Sequence, residues 1–269
     1  MIRKHFADFS FRDIPCVICI GVFDGLHTGH QKIIDETVKL ARDLSAQSVA
    51  VTFSRNPKMA CRTMPRAAAL QSGRQLEEML SDRGINYHCV IDFSDDMSKL
   101  SGEEFIALLC TSYEVRAMVV GDSFRAGAEA DSVGPSEIEK LLSKYTSSAY
   151  LRVIPPVVID GEVVSSSLIR GCLLTGDVDK ASRLLGRAYS LDLRGATFIE
   201  DGFREGASQK RLFIDVRTLG LLLPREGRYM VRATAEGRSV NAEAFVSEDR
   251  LALELPVRMN PDGITFLGA

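Results

Sequence analysis

Two of the chain's four histidines close the stretch Gly21-Val22-Phe23-Asp24-Gly25-Leu26-His27-Thr28-Gly29-His30. Imidazole N–H groups donate to phosphate oxygens, and glycines allow a backbone to approach a ligand closely or to take positive φ. The apolar run from Cys16 to Val22 reads as a buried strand. The run from His30 to Leu44 has helical spacing and sets Ile33, Ile34, Val38, Leu40, Ala41 and Leu44 largely on one face. A strand that passes through a glycine-bearing turn into a helix start is an arrangement in which backbone N–H groups and the helix dipole hold an anion. With a helix beginning at Thr28 or Gly29, His27 and His30 project over its N-terminus. Phosphate binding is the expected chemistry; two exposed loop histidines are the alternative. A second candidate is Ser165-Ser166-Ser167-Leu168-Ile169-Arg170. It offers hydroxyl donors at a helix start and a planar guanidinium, or simply a serine cap on an amphipathic helix. The pair Cys16 and Cys19 has a redox or zinc spelling. On a strand, however, residues three apart point to opposite faces, so these read as buried free thiols and no metal site is expected.

The surrounding elements alternate. Strand-like runs at 16–22, 48–53, 87–93, 115–121 and 149–158 are separated by helical patterns at 30–44, 70–84, 102–113 and 134–146. This order implies a parallel sheet covered by helices, with ligands at the C-terminal strand ends near a topological switch point. Two short helices follow over 164–186, with Gly176 as a stop and Asp177 as a cap for the second. After Gly186 the texture becomes short alternating runs between Gly, Pro, Asp and Asn, as in a small antiparallel β barrel. The fold class is therefore α/β, a Rossmann-like parallel-sheet domain over 1–186 followed by a β-barrel domain over 187–269.

Composition bounds the partners. The 269 residues are 45% hydrophobic and 26% charged, with a formal net charge of −3, so a globular chain is expected and a nucleic-acid polyanion is disfavoured. No stretch approaches the ~18 apolar residues of a membrane span. The N-terminus lacks the apolar core and cleavage site of a secretory signal. A cytoplasmic protein with small-molecule partners is expected, with no nucleic acid, membrane or obligate protein partner.

The stretch 21–30 resembles the signature of the nucleotidylyltransferase family, and its Gly-x-Phe-Asp-Gly-x-His-x-Gly-His form resembles that of prokaryotic FAD synthetases. Residues 118–127, Met-Val-Val-Gly-Asp-Ser-Phe-Arg-Ala-Gly, and 164–191, which hold the three serines, Arg170 and a Gly-Asp-Val-Asp-Lys-Ala-Ser-Arg-Leu-Leu-Gly-Arg-Ala-Tyr run, resemble further segments of that family in order and spacing. The resemblance covers about residues 10 to 191. Members typically join an FMN adenylyltransferase domain to a C-terminal riboflavin kinase domain. The chain departs where Arg55 and Asn56 replace a usual Pro and His, and where Leu168 replaces a frequent Arg.

What the resemblance implies is adenylyl transfer: FMN and ATP give FAD and pyrophosphate. The attacking phosphate is already anionic, so positioning and charge neutralisation suffice, without a covalent intermediate. His27, His30, Ser166, Ser167 and Arg170 are the expected catalytic donors. Gly21, Val22, Phe23, Asp24, Gly25, Gly29 and Ser165 are expected around ATP, with Mg2+ carried largely by the nucleotide and water. Phe53, Asn56, Asp122, Ser123, Phe124 and Arg125, just past strand ends, are expected near the flavin. The backbone near 152–158 is expected near adenine. In the C-terminal domain, 221–233 still resembles the kinase strand pair. Arg211-Leu212-Phe213-Ile214-Asp215-Val216 stands where a Gly-Phe-Pro-Thr-Ala-Asn signature belongs, and no late acidic motif appears. Riboflavin kinase activity is therefore expected to be absent. Two other readings stay open: nucleotidylyl transfer to another phosphorylated substrate, and a catalytically silent flavin or nucleotide binder.

Overall fold

The computed structural model describes residues 1–6, 11–54, 68–92, 99–200, 210–215, 219–247, 250–257 and 259–268. The chain forms two compact units, Met1–Arg66 with Leu76–Val163, and Ala67–Gln75 with Val164–Ala269. The two helices over 164–186 thus group with the second unit, whereas the change of sequence texture lies near 187. Compactness and sequence texture divide the chain at different points.

In the first unit, β1 (Ile2–His5), β2 (Phe11–Ile20), β3 (Gln47–Phe53), β4 (Tyr87–Ile91), β5 (Tyr113–Gly121) and β6 (Tyr150–Ile154) form one parallel sheet in the order β1-β4-β3-β2-β5-β6. Helices α1 (Thr28–Asp43), α2 (Gly73–Asp82), α3 (Gly102–Ser112) and α4 (Pro135–Tyr145) belong to the connections, and a short hairpin, β7 (Val158–Ile159) and β8 (Glu162–Val163), follows β6. The chain builds outward from β2 through β3 to β4, then crosses to β5 and β6 on the other side. The switch point therefore lies between β2 and β5.

Strand alternation divides the core. Cys16, Ile18 and Ile20 of β2 pack with Val49, Val51, Phe105, Ile106 and Leu109, while Val17 and Cys19 pack with Ile33, Ile34, Val38 and Leu80 on the other face. The two thiols are thus on opposite faces, and burial pushes both up to about 12. None of the five described cysteines forms a disulfide. The helical spacing read for α1 holds for Ile33, Ile34, Val38, Leu40 and Ala41; Leu44 caps the helix and is 39% exposed instead. Strand β1 was not anticipated. All four of its side chains are exposed, so its sequence carries no alternation, and it is placed by pairing alone, Ile2 opposite Tyr87.

The second unit holds α5 (Ser166–Thr175), α6 (Val178–Leu185) and an antiparallel sheet of β9 (Ser190–Asp192), β10 (Phe198–Glu200), β11 (Lys210–Asp215), β12 (Gly227–Ala235), β13 (Arg238–Val246), β14 (Arg250–Leu255) and β15 (Gly263–Phe266). The ladder runs β10-β11-β14-β13-β12-β15-β9, leaving β10 and β9 at its ends. Val231, Ala233, Ala242, Ala244, Leu251, Leu253 and Ile264 fill its apolar face. Gly176 ends α5 in the left-handed conformation, and the Asp177 carboxylate accepts from the Lys180 N–H at 2.9 Å to start α6, both as read from the sequence. Among the described residues no helix is long and apolar enough to cross a membrane.

Candidate active site

The loop after β2 and the start of α1 occupy the C-terminal side of the switch point. Gly21 N–H donates to the Val51 carbonyl at 3.1 Å, so the chain leaves the sheet still tied to β3. It then makes a turn in which Phe23, Gly25 and Leu26 all have positive φ, at 49°, 81° and 36°. Such values suit Gly25 but strain Phe23 and Leu26, which are held there by complete burial of both side chains. Gly21 leaves room for this turn, since a Cβ on it would lie 2.8 Å from the Phe23 ring.

His27 is the N-cap of α1, and its Nδ1 accepts from the His30 N–H at 3.3 Å. An accepting Nδ1 assigns the proton to Nε2, leaving His27 a hydrogen-bond donor at its far end. The His30 ring stacks on it with centroids 3.6 Å apart and meets Phe23 edge-on at 5.3 Å. Burial first, and His27 second, hold the His30 imidazole well below its ordinary range, so it is neutral at pH 7. Its Nδ1 is buried and has no hydrogen-bond partner among the described residues. Gly29 fits beneath this pair: a Cβ there would lie 3.2 Å from both Cε1 and Nδ1 of His27. No acidic residue occupies the first turn of α1, so nothing there opposes an anion.

Across the switch point, Asp122, Ser123 and Arg125 are exposed just past β5, and Phe124 is half-buried against the core that also receives Phe53. Phe53 lies 6.2 Å from Phe105, ring to ring. Arg125 turns towards the start of α4, its Nη1 2.8 Å from where a Cβ on Gly134 would sit. Gly127, the last residue of the segment 118–127, has φ of 92°, and a Cβ on it would lie 2.2 Å from the Gly102 nitrogen. Backbone meets backbone there, which accounts for a glycine at both places. Asn56 lies outside the described residues, as does its neighbour Arg55.

In the second unit, the three serines open α5. Ser165 is the N-cap, its Oγ accepting from the Leu168 N–H at 3.2 Å, and Ser166 and Ser167 form the first turn. The Arg170 guanidinium donates through Nη1 to the Ala68 carbonyl. One of its five donors therefore ties α5 to the segment 67–75. Among the described residues no three His, Cys, Asp or Glu side chains gather as a metal-ligand set.

The sequence model of the FAD synthetase family matches residues 11–168 of this chain, from the first residue of β2 to the first turn of α5. The chain belongs to the FAD synthetase family. The match spans the whole 21–30 loop, both sides of the switch point and the Ser165–Ser167 start of α5. Among curated relatives of this FAD synthetase family member, a bifunctional riboflavin kinase/FMN adenylyltransferase of Buchnera aphidicola is 26% identical over 66% of this chain, which spans 56% of that protein. An FAD synthetase of Listeria monocytogenes is 26% identical over 64% of this chain and 69% of its own length. A solved structure described as a macrolide-efflux protein from Streptococcus pneumoniae superposes with a TM-score of 0.82 over 99% of this chain and 89% of its own, at 21% identity, a likeness of fold.

One side chain that contacts the loop, Gln31, was not singled out from the sequence. Gln31 donates from Nε2 to the Leu26 carbonyl at 2.9 Å, and its N–H donates to the His27 carbonyl at 2.9 Å. It looked like an ordinary polar residue of an amphipathic helix; the only signal was its place directly after the second histidine.

Proposed function

We propose that this chain is an FMN adenylyltransferase, transferring AMP from ATP to FMN. A terminal phosphate oxygen of FMN forms a bond to the α-phosphorus of ATP. The bond from that phosphorus to the bridging oxygen breaks, and pyrophosphate leaves with the electron pair. The nucleophile is already anionic, so the protein's task is to align the two phosphates and to offset charge on their oxygens.

The observation that carries this reading is the stacked His27–His30 pair at the start of α1, beside the switch point of a parallel sheet. His27 offers Nε2–H, and His30 offers a buried Nδ1 awaiting a partner. Two stacked imidazoles at a helix N-terminus whose first turn holds no acidic residue suit a polyphosphate. Ser166, Ser167 and Arg170 are proposed as further donors to phosphate oxygens, and Phe53, Asp122, Ser123, Phe124 and Arg125 as residues near the flavin. Asp24 is the one carboxylate in residues 21–30. That donor set is too small for a protein cage, and it fits a Mg2+ that arrives with the nucleotide. Its chemistry there is charge neutralisation on the phosphates. The relative named FAD synthetase supports this activity. ATP and FMN as the partners, and the cytoplasm as the compartment, belong to the same proposal.

Incubation of the purified chain with FMN, ATP and Mg2+ tests it, with FAD and pyrophosphate as the products measured. Wild type should form both in equal amounts, and His30→Ala should lose turnover by at least about a hundredfold, the scale of a lost transition-state donor. FMN and ATP bound without FAD would make the chain a silent binder. Pyrophosphate released only with a different phosphorylated acceptor would replace FMN as the substrate.

A further inference from the structure

We propose that Gln31 is a positioning residue of adenylyl transfer, acting on the phosphates through His27; the proposal rests on the adenylyltransferase reading of the loop. The turn that delivers His27 is the strained part of the site. Leu26 has φ of 36° and Phe23 has φ of 49°, with the Leu26 N–H donating to the Phe23 carbonyl at 3.1 Å. A bulky residue held at positive φ relaxes unless its neighbours fix it. Burial fixes the Leu26 side chain, but the peptide that follows carries a carbonyl whose direction sets where His27 begins.

Gln31 fixes that carbonyl. Its Nε2 donates to the Leu26 oxygen, and its main-chain N–H donates to the His27 oxygen, so two consecutive peptides are held from one residue on the first turn of α1. The held peptides place His27 as N-cap with ψ of 171°, and there its Nδ1 receives the His30 N–H. That bond selects the Nε2–H form of His27 and seats His30 against it. The order of dependence is Gln31 to Leu26, Leu26 to His27, and His27 to the phosphate. Loss of the amide donor leaves the fold's apolar contacts intact and frees the imidazole to rotate or change tautomer. Misplacement of a donor by even ~1 Å is enough to weaken transfer substantially.

Gln31→Met keeps the length and removes the donor. We expect kcat/KM for ATP to fall about tenfold or more, with KM for FMN unchanged and the melting temperature within a few degrees of wild type. In a His27→Ala background the same change should have almost no further effect, because the group it positions is gone. Equal losses in both backgrounds, or a Gln31→Met enzyme with wild-type kinetics, would overturn the proposal. A second measurement does not need turnover: nitrogen-15 NMR of the His27 ring should show a protonated Nε2 in wild type and mixed tautomers in Gln31→Met. A wild-type ring protonated at Nδ1, or identical tautomers in the two proteins, would also overturn it. Wild type that makes no FAD but shows the expected tautomer change would sink the adenylyltransferase reading and leave the Gln31 linkage standing. Gln31→Lys, which keeps a donor, should retain most of the activity. If Gln31→Met does not fold, a Gln31→Lys enzyme as impaired as His27→Ala counts against the proposal.

Discussion

His27 does two things with one ring. Its Nδ1 completes the helix start by taking the His30 N–H, and this use of one nitrogen commits the other to donation. Gly29 is the residue that lets the ring sit so close to the helix, and its backbone φ lies in the ordinary range, so its role is space and not conformation. Gly29→Ala therefore separates stability from catalysis. Alanine in a helix is favoured over glycine by roughly 0.5–1 kcal/mol, so the melting temperature should hold or rise. The added Cβ, however, would press on the His27 ring at 3.2 Å, and that ring is pinned by its cap bond and by stacking on His30. FAD formation should fall about tenfold while thermal stability does not fall, as judged by a rate assay and a melting curve on the same sample. A destabilised variant with unchanged turnover would contradict this account.

At the scale of elements, the parallel sheet carries a buried histidine that the proposed chemistry does not use. His88 on β4 is buried, shares a 2.8 Å hydrogen bond with Thr52 Oγ1 through Nε2, and has no partner at Nδ1 among the described residues. Burial first, and Arg3 on β1 second, lower it to about 4 from its ordinary 6.5. The folded state thus refuses a proton that the unfolded chain accepts as pH falls below 6.5, so its contribution is present above that value and lost towards pH 4. The loss should reach about 3 kcal/mol. Urea midpoints at about pH 7 and about pH 4.5 should fall further for wild type than for His88→Gln, which cannot take the proton. Most such elements were legible from periodicity: α1, β3 and the Gly176–Asp177 break stand where their spacing put them. Strand β1 was not legible, because its exposed side chains encode no face. The candidate site was legible by residue type and order. Its geometry was not, since nothing in the identities of Phe23 and Leu26 announces positive φ. Likewise, the reason for Gly127 is its contact with Gly102, far earlier in the chain.

At the scale of the whole chain, the second unit raises the question of how many reactions this family member performs. A kinase needs polar groups that approach ATP and its Mg2+; of the residues 211–216 that stand where the resemblance puts that signature, 211–215 belong to strand β11 and Val216 lies outside the described residues. Leu212 and Ile214 are fully buried in the apolar face of the sheet, and Arg211 is paired with Glu254 and lies over the Phe213 and Phe245 rings. Strand pairing uses the backbone of the same residues, with Leu212 opposite Leu253 and Ile214 opposite Leu251. Leu212, Ile214 and Arg211 thus serve the sheet. The proposal of one activity follows, and it predicts an asymmetry between substrates. Riboflavin with ATP and Mg2+ should give neither FMN nor FAD over a time in which FMN with ATP and Mg2+ gives FAD. Phosphorylation of riboflavin by the purified chain would restore the second activity and require a catalytic surface other than β11. If the asymmetry holds, FMN must reach this enzyme from a separate phosphorylation of riboflavin, and adding such a kinase to the mixture should restore FAD formation from riboflavin.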